Sequence, residues 1–162
     1  FIGTWFPERG KFFYKLNKLG LNIKIYGTKW KKDPNFEFMK KNITLGHVGN
    51  PKYSKIIQCS KISLCLPSKE NMDDITIRNV EIPAIGTLLC AERTPEALKL
   101  LKENKEAIYF KDVKECFDIC NTFLNNKKNL KKVSRLGYIK IRYKLKNNFN
   151  NTLNRIIKET FR

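Results

Sequence analysis

The sequence predicts an α/β domain with a mostly parallel sheet between two layers of helices, and three observations carry that prediction. Short apolar runs alternate with amphipathic stretches at the spacing of repeated strand–helix units. Ile62 to Leu66 is almost continuously apolar, the composition of a strand covered on both faces. Glycines after helical stretches, and Thr-Pro or Asp before them, punctuate the pattern.

In chain order, Phe1-Ile2-Gly3 is a short apolar strand. Pro7 to Leu19 places Phe12, Phe13, Leu16 and Leu19 on one helical face, and Gly20 stops it. Asn22 to Tyr26 alternates around Ile23 and Ile25 as a second strand, and Gly27 to Trp30 leads into a polar loop. These elements make one β-α-β unit. Ile43 to Leu45 is a third strand ending at Gly46-His47-Val48-Gly49. Pro51 to Ser60 follows as a helix with Pro in its first turn.

Beyond the Ile62–Leu66 strand, Pro67 to Asp74 is a polar loop. Ile75 to Ile85 reads as a helix closed by Gly86, with Pro83 in its last turn. Thr87 to Ala91 is a strand, Thr94 caps a helix opened by Pro95, and Ala107 to Phe110 is the last strand. Asp112 caps a helix that buries Val113, Cys116, Phe117, Cys120, Phe123 and Leu124 at helical spacing. Helices over Leu130 to Leu145 and Phe149 to Phe161 close the chain. The arrangement is Rossmann-like, so ligands belong beyond the carboxyl ends of the strands.

At 162 residues there is room for one domain of this kind. The chain opens on Phe1 and runs directly into an apolar segment, which predicts a fragment with further chain before it. No run reaches the length of a membrane-spanning helix and the amino end has no secretory pattern, so the expected place is the cytoplasm, or peripheral to a membrane. Five cysteines and a single histidine show no ligand spacing, and no metal site is expected.

A formal net charge of +18 attracts polyanions. The excess is mainly Lys, spread over every segment together with abundant Asn and Ile, as AT-rich coding gives. Scattered Lys neutralises phosphates without reading bases, so the expected polyanion binding is non-specific. Phosphate-loop, dinucleotide and nucleophile-elbow motifs are all missing.

The strongest constellation is Asp73 and Glu81, seven residues between them, with Thr76 and Arg78 inside the interval. Eight positions is slightly over two helical turns, so one carboxylate before the helix and one within it address two ends of an elongated ligand. The amides of Ile75, Thr76 and Ile77 at the helix start suit its anionic middle. A nucleotide sugar has this layout. Each residue also has a plainer reading: Glu81 as an exposed helical position, Asp73 as a helix-terminal acid, Arg78 as a partner of Asp73 or Asp74, Arg9 as surface charge, and Thr76 and Gly86 as backbone geometry. Thr4 and His47 sit in loops at strand ends, where ligands are expected.

This spacing resembles the donor signature of group 1 glycosyltransferases. The stretch from Asp73 through Thr76, Arg78 and Glu81-Ile82-Pro83-Ala84 to Gly86 is similar to the CgeB-like branch, from which Asp74 and Ile75 depart. Phe1-Ile2-Gly3-Thr4-Trp5 with Pro7-Glu8-Arg9, and Tyr26-Gly27 with Trp30, resemble that branch's first strand and loop and its second strand end. Gly137 and Arg155 match a looser pattern whose His-Thr-Tyr run is absent here.

The resemblance implies one half of a GT-B fold, residues 1–162 being the carboxyl-terminal, nucleotide-sugar-binding domain, with an acceptor domain preceding it. It implies metal-independent transfer of a sugar from a nucleotide diphosphate sugar, a substrate rather than a cofactor. Asp73 would meet the donor sugar, Glu81 the ribose and Arg9 the diphosphate. The base, sugar, acceptor and catalytic base stay open. The rivals are a non-catalytic nucleotide- or partner-binding domain of the same fold, and a basic nucleic-acid-binding module.

Overall fold

The computed structural model describes residues 1–67 and 74–145. The strands are β1 (Ile25–Gly27), β2 (Ile43–Leu45), β3 (Ile62–Cys65), β4 (Leu88–Glu92) and β5 (Ile108–Phe110). The helices are α1 (Pro7–Lys18), α2 (Phe36–Met39), α3 (Lys52–Gln58), α4 (Arg78–Ile85), α5 (Pro95–Leu100), α6 (Val113–Asn125) and α7 (Lys127–Ile139). Every strand pairing is parallel, as the alternation of strands and helices predicts: β1 with β2, and β3–β4–β5 in that order. Ile2 joins the free side of β1 through a parallel bridge to Tyr26.

Strand pleating sends alternate side chains to opposite faces, and each face has its own core. Leu64, Leu88, Cys90, Ile108 and Phe110 pack against Phe13 and Leu16 of α1 and against Cys116, Cys120 and Phe123 of α6. Cys65, Leu89, Ala91 and Tyr109 pack the other way, against Ile57 of α3, Ile82 of α4 and Ala97 of α5. This is the expected three-layer α/β fold. Among the described residues no helix is long and apolar enough to cross a membrane.

The punctuation works as its chemistry requires. Thr94 Oγ1 accepts from Ala97 N–H at 3.2 Å and Asp112 Oδ1 from Glu115 N–H at 2.9 Å, each satisfying a helix-start amide. Gly86 closes α4 at φ 95°, left-handed backbone that costs glycine nothing. At Gly27 a Cβ would collide with the Gly3 carbonyl, so only glycine lets the Phe1–Gly3 segment pack this closely on β1.

Four details differ from the sequence expectation. The Gly27–Trp30 loop continues through α2 and turns of 3-10 helix at Trp30–Lys32 and Lys40–Asn42, anchored by Trp30, which is fully buried and donates to the Gly3 carbonyl at 2.9 Å. The helix expected from Ile75 begins at Arg78, because the Asn79 side chain accepts from Thr76 N–H at 3.0 Å and holds that segment in a turn. The helix expected from Leu130 begins at Lys127, capped by Asn126, and passes into a π-helical turn, Lys140–Lys144. The β2–β1–Ile2 ladder and the β3–β4–β5 ladder are separate. Asp73, Arg155 and the last expected helix lie outside the described residues.

Candidate functional site

From Phe1–Gly3 the chain steps outward through β1 to β2 in one parallel ladder, and then turns back to build β3, β4 and β5 as a separate parallel ladder. The place where the order reverses is the crevice at which open α/β sheets bind ligands. Arg9, in the first turn of α1, stands there. Its Nη1 donates to the Thr4 carbonyl at 3.1 Å and its Nη2 to the Leu66 carbonyl at 3.0 Å, tying together the carboxyl ends of the two strands that flank the reversal.

Arg9 is only 6% exposed, its Nε has no hydrogen-bond partner among the described residues, and its guanidinium lies 4.9 Å from the Phe6 ring centroid and 5.7 Å from that of Phe1. Burial and the nearby Arg78 guanidinium push its pKa down, with Glu8 opposing them. Among the described residues neither Arg9 nor Arg78 forms an ion pair, Asp74 included. Two cations held near each other, neither neutralised by an ion pair among the described residues, favour an anion, which each would stabilise in a low-dielectric crevice.

Glu81 is half-buried in α4, and its Oε2 accepts from the Tyr53 hydroxyl at 2.8 Å. Burial and the Glu81 carboxylate push the Tyr53 pKa up, so Tyr53 remains the donor. Tyr53 is a site residue that the sequence reading missed; its signal is its place in the first turn of the helix that follows the Gly46–Gly49 loop. Oε1 has no hydrogen-bond partner among the described residues and is open to a ligand donor.

The remaining expected residues divide. Thr76 donates its amide to Asn79, and its hydroxyl lies 3.3 Å from Cys65 Sγ, so the amide expected for the ligand is already taken. Ile77 is 69% exposed at the start of α4 and Ile75 is also exposed. Asp74 is held by Thr94, whose hydroxyl donates to the Asp74 carbonyl at 2.6 Å. Thr4 shares a hydroxyl hydrogen bond of 3.2 Å with Thr28 beside Arg9. His47 is exposed in the loop between β2 and α3. The structure thus brings Arg9, Thr4 and Arg78 to the reversal, with Glu81 and Tyr53 beside Arg78.

Cys116 and Cys120 lie one turn apart on the buried face of α6, as expected, but the absence of clustering did not hold. Cys90 of β4 joins them, with all three Sγ atoms within 4.8 Å of one another. Burial pushes the Cys90 thiol up, so it packs as a small apolar group in the core. Linear spacing missed this group because Cys90 comes from a different element.

A family model described as glycosyl transferase-like matches residues 9–157. Among curated proteins none matches the chain. Among solved structures, the C-terminal domain of a glycosyl transferase group 1 family protein from Francisella tularensis superposes with a TM-score of 0.66 at 14% identity. That match covers 89% of this chain and 85% of that one. A glycosyltransferase from Rickettsia africae superposes with a TM-score of 0.55 at 12% identity, over 96% of this chain; the chain spans 52% of that protein's length. At these identities the likeness is one of fold.

Proposed function

The chain belongs to the glycosyl transferase-like family, and from that premise we propose that it is the donor-binding half of a metal-independent GT-B glycosyltransferase of the CgeB-like branch. Its substrate is a nucleotide diphosphate sugar, and a preceding domain supplies the acceptor and the base. The observation that carries this is Arg9, a buried guanidinium with no ion pair among the described residues, at the crevice where the strand order reverses.

The diphosphate lies against Arg9 and Arg78. Glu81, oriented by Tyr53, accepts hydrogen bonds from the ribose hydroxyls through Oε1, and Asp73 holds the donor sugar. Thr4 and the exposed Ile77 at the start of α4 border the phosphates, and His47 faces the donor from the β2–α3 loop. In the transfer step the bond from the anomeric carbon to the phosphate oxygen breaks and an acceptor oxygen bonds to that carbon. The acceptor proton passes to a base outside this chain. The electron pair left on the diphosphate is stabilised by the two guanidinium groups, which need no reorganisation at that moment.

Thermal shift against a panel of nucleoside diphosphates and their sugar conjugates tests the reading. A ligand present at 100 times its dissociation constant stabilises the fold by about 2.7 kcal/mol. A panel in which nothing stabilises the chain at millimolar concentration removes the donor assignment and leaves the fold.

A further inference from the structure

Cys90 of β4 and Cys116 and Cys120 of α6 bring three sulfurs to one point in the layer between the sheet and α6. Two periodicities make that meeting. Cys116 and Cys120 are four residues apart and share one face of the helix, and the strand pleat turns Cys90, like Leu88, toward that helix. All three residues are at most 2% exposed, and their Sγ atoms lie within 4.8 Å of one another. Cys120 Sγ is 3.9 Å from Cys90 Sγ.

The helix pair suits a shared centre better than a sulfur–sulfur bond. Side chains four apart on a helix have Cβ atoms about 5 to 6 Å apart, beyond the roughly 3.5 to 4.5 Å of a disulfide. Three thiolates at about 2.3 Å from one centre stand about 4.0 Å apart when coplanar with it, and closer when the centre rises out of their plane. The ligand set then selects the centre. Sulfur alone selects thiophilic ions. Zn(II) in a structural site takes four ligands, and among the described residues no histidine or carboxylate joins these three. Charge decides the rest. Three thiolates around a monovalent or divalent ion leave net negative charge in an apolar core, which is costly, whereas a trivalent centre leaves none.

We infer that Cys90, Cys116 and Cys120 form a binding site for trivalent arsenic, a thiophilic centre whose three bonds match the three sulfurs. The step balances without a change of oxidation state: As(OH)3 and three thiols give three As–S bonds and three waters, each water taking one hydroxyl from arsenic and one thiol proton. The product carries no net charge and needs no further ligand, as a dry core requires. It ties β4 to α6 across 30 residues of sequence. Entry needs α6 to lift from the sheet, a local opening of a packed element, so uptake is slow. The site uses no residue of the Arg9 crevice and is independent of the sugar-transfer reading.

The reduced chain carrying Cys59→Ser, which removes the exposed thiol, is incubated with arsenite in the absence of oxygen, with a phosphine as reductant. Native mass spectrometry is expected to show one arsenic in place of three protons, a species lighter by one water than a two-sulfur adduct that keeps a hydroxyl. X-ray absorption on the same sample is expected to give three sulfurs per arsenic, and Tm should rise. Cys90→Ala, Cys116→Ala and Cys120→Ala, each checked for folding by circular dichroism, should weaken binding by about tenfold or more, since even a partner that only supports a ligand is worth about 10- to 100-fold. A two-sulfur adduct in the folded chain overturns the proposal, whatever the variants do. So does undiminished binding in folded Cys90→Ala, or uptake by the urea-unfolded chain alone. Displacement of arsenic by Zn(II) or Cu(I) overturns the assignment to a trivalent centre.

Discussion

The Tyr53 hydroxyl donates to Glu81 Oε2 at 2.8 Å, joining the first turn of α3 to α4 across 28 residues of sequence. That contact holds the carboxylate in one orientation. A hydrogen bond to a charged group contributes about 1.5 to 3 kcal/mol, so Glu81→Ala is expected to weaken nucleoside diphosphate binding about 10- to 150-fold, and Glu81→Gln by less. Tyr53→Phe keeps the carboxylate but frees its orientation, and should cost a few-fold. Calorimetry on the three variants separates a ligand contact from a surface charge, for which none of them would matter.

Arg9→Ala is expected to do two things at once. Losing the bonds to the Thr4 and Leu66 carbonyls leaves the buried Leu66 acceptor unpaired, at about 1 to 3 kcal/mol, and the part-buried Thr4 acceptor at less, so the denaturation midpoint should fall. In the protein that remains folded, affinity for a nucleoside diphosphate should drop while affinity for the unphosphorylated nucleoside stays the same. Equal loss for both ligands would make Arg9 a purely structural clamp.

Asp73→Ala should spare the free nucleoside diphosphate and weaken only its sugar conjugate, because the proposed contact is with the sugar. Calorimetry with the two ligands side by side decides it. A parallel loss for both would move Asp73 to the nucleotide end of the site.

Binding to nucleic acid should be electrostatic and indifferent to sequence. The 33 Lys and Arg residues are spread along the chain, and log affinity should fall with log salt by about 0.7 to 0.9 per phosphate contacted. A preference for one sequence at physiological salt, measured by fluorescence anisotropy, would contradict the non-specific reading.

The helix punctuation was legible in the sequence because it is local chemistry. Thr94-Pro95, Asp112 and Gly86 act on amides or backbone angles a few residues away, and all three end or begin helices where expected. The spacing of Asp73, Arg78 and Glu81 was likewise visible, since it lies within a single stretch of chain. The helix start at Arg78 was less so: Ile75 to Ile77 keep helical composition, but the Asn79 side chain takes the Thr76 amide, a competition that composition does not reveal.

What the sequence by itself determined is the order of strands and helices and their two-faced burial, since apolar periodicity acts through each element's own geometry. What only the tertiary structure decided is the set of contacts between elements distant in sequence. Arg9 reaches Leu66 across 57 residues, Tyr53 reaches Glu81, and Cys90 completes a cluster with Cys116 and Cys120. The physical reason is the parallel sheet. Each crossover carries the chain through a helix before its strands meet, so groups converging at the strand ends come from segments whose sequences hold no record of one another.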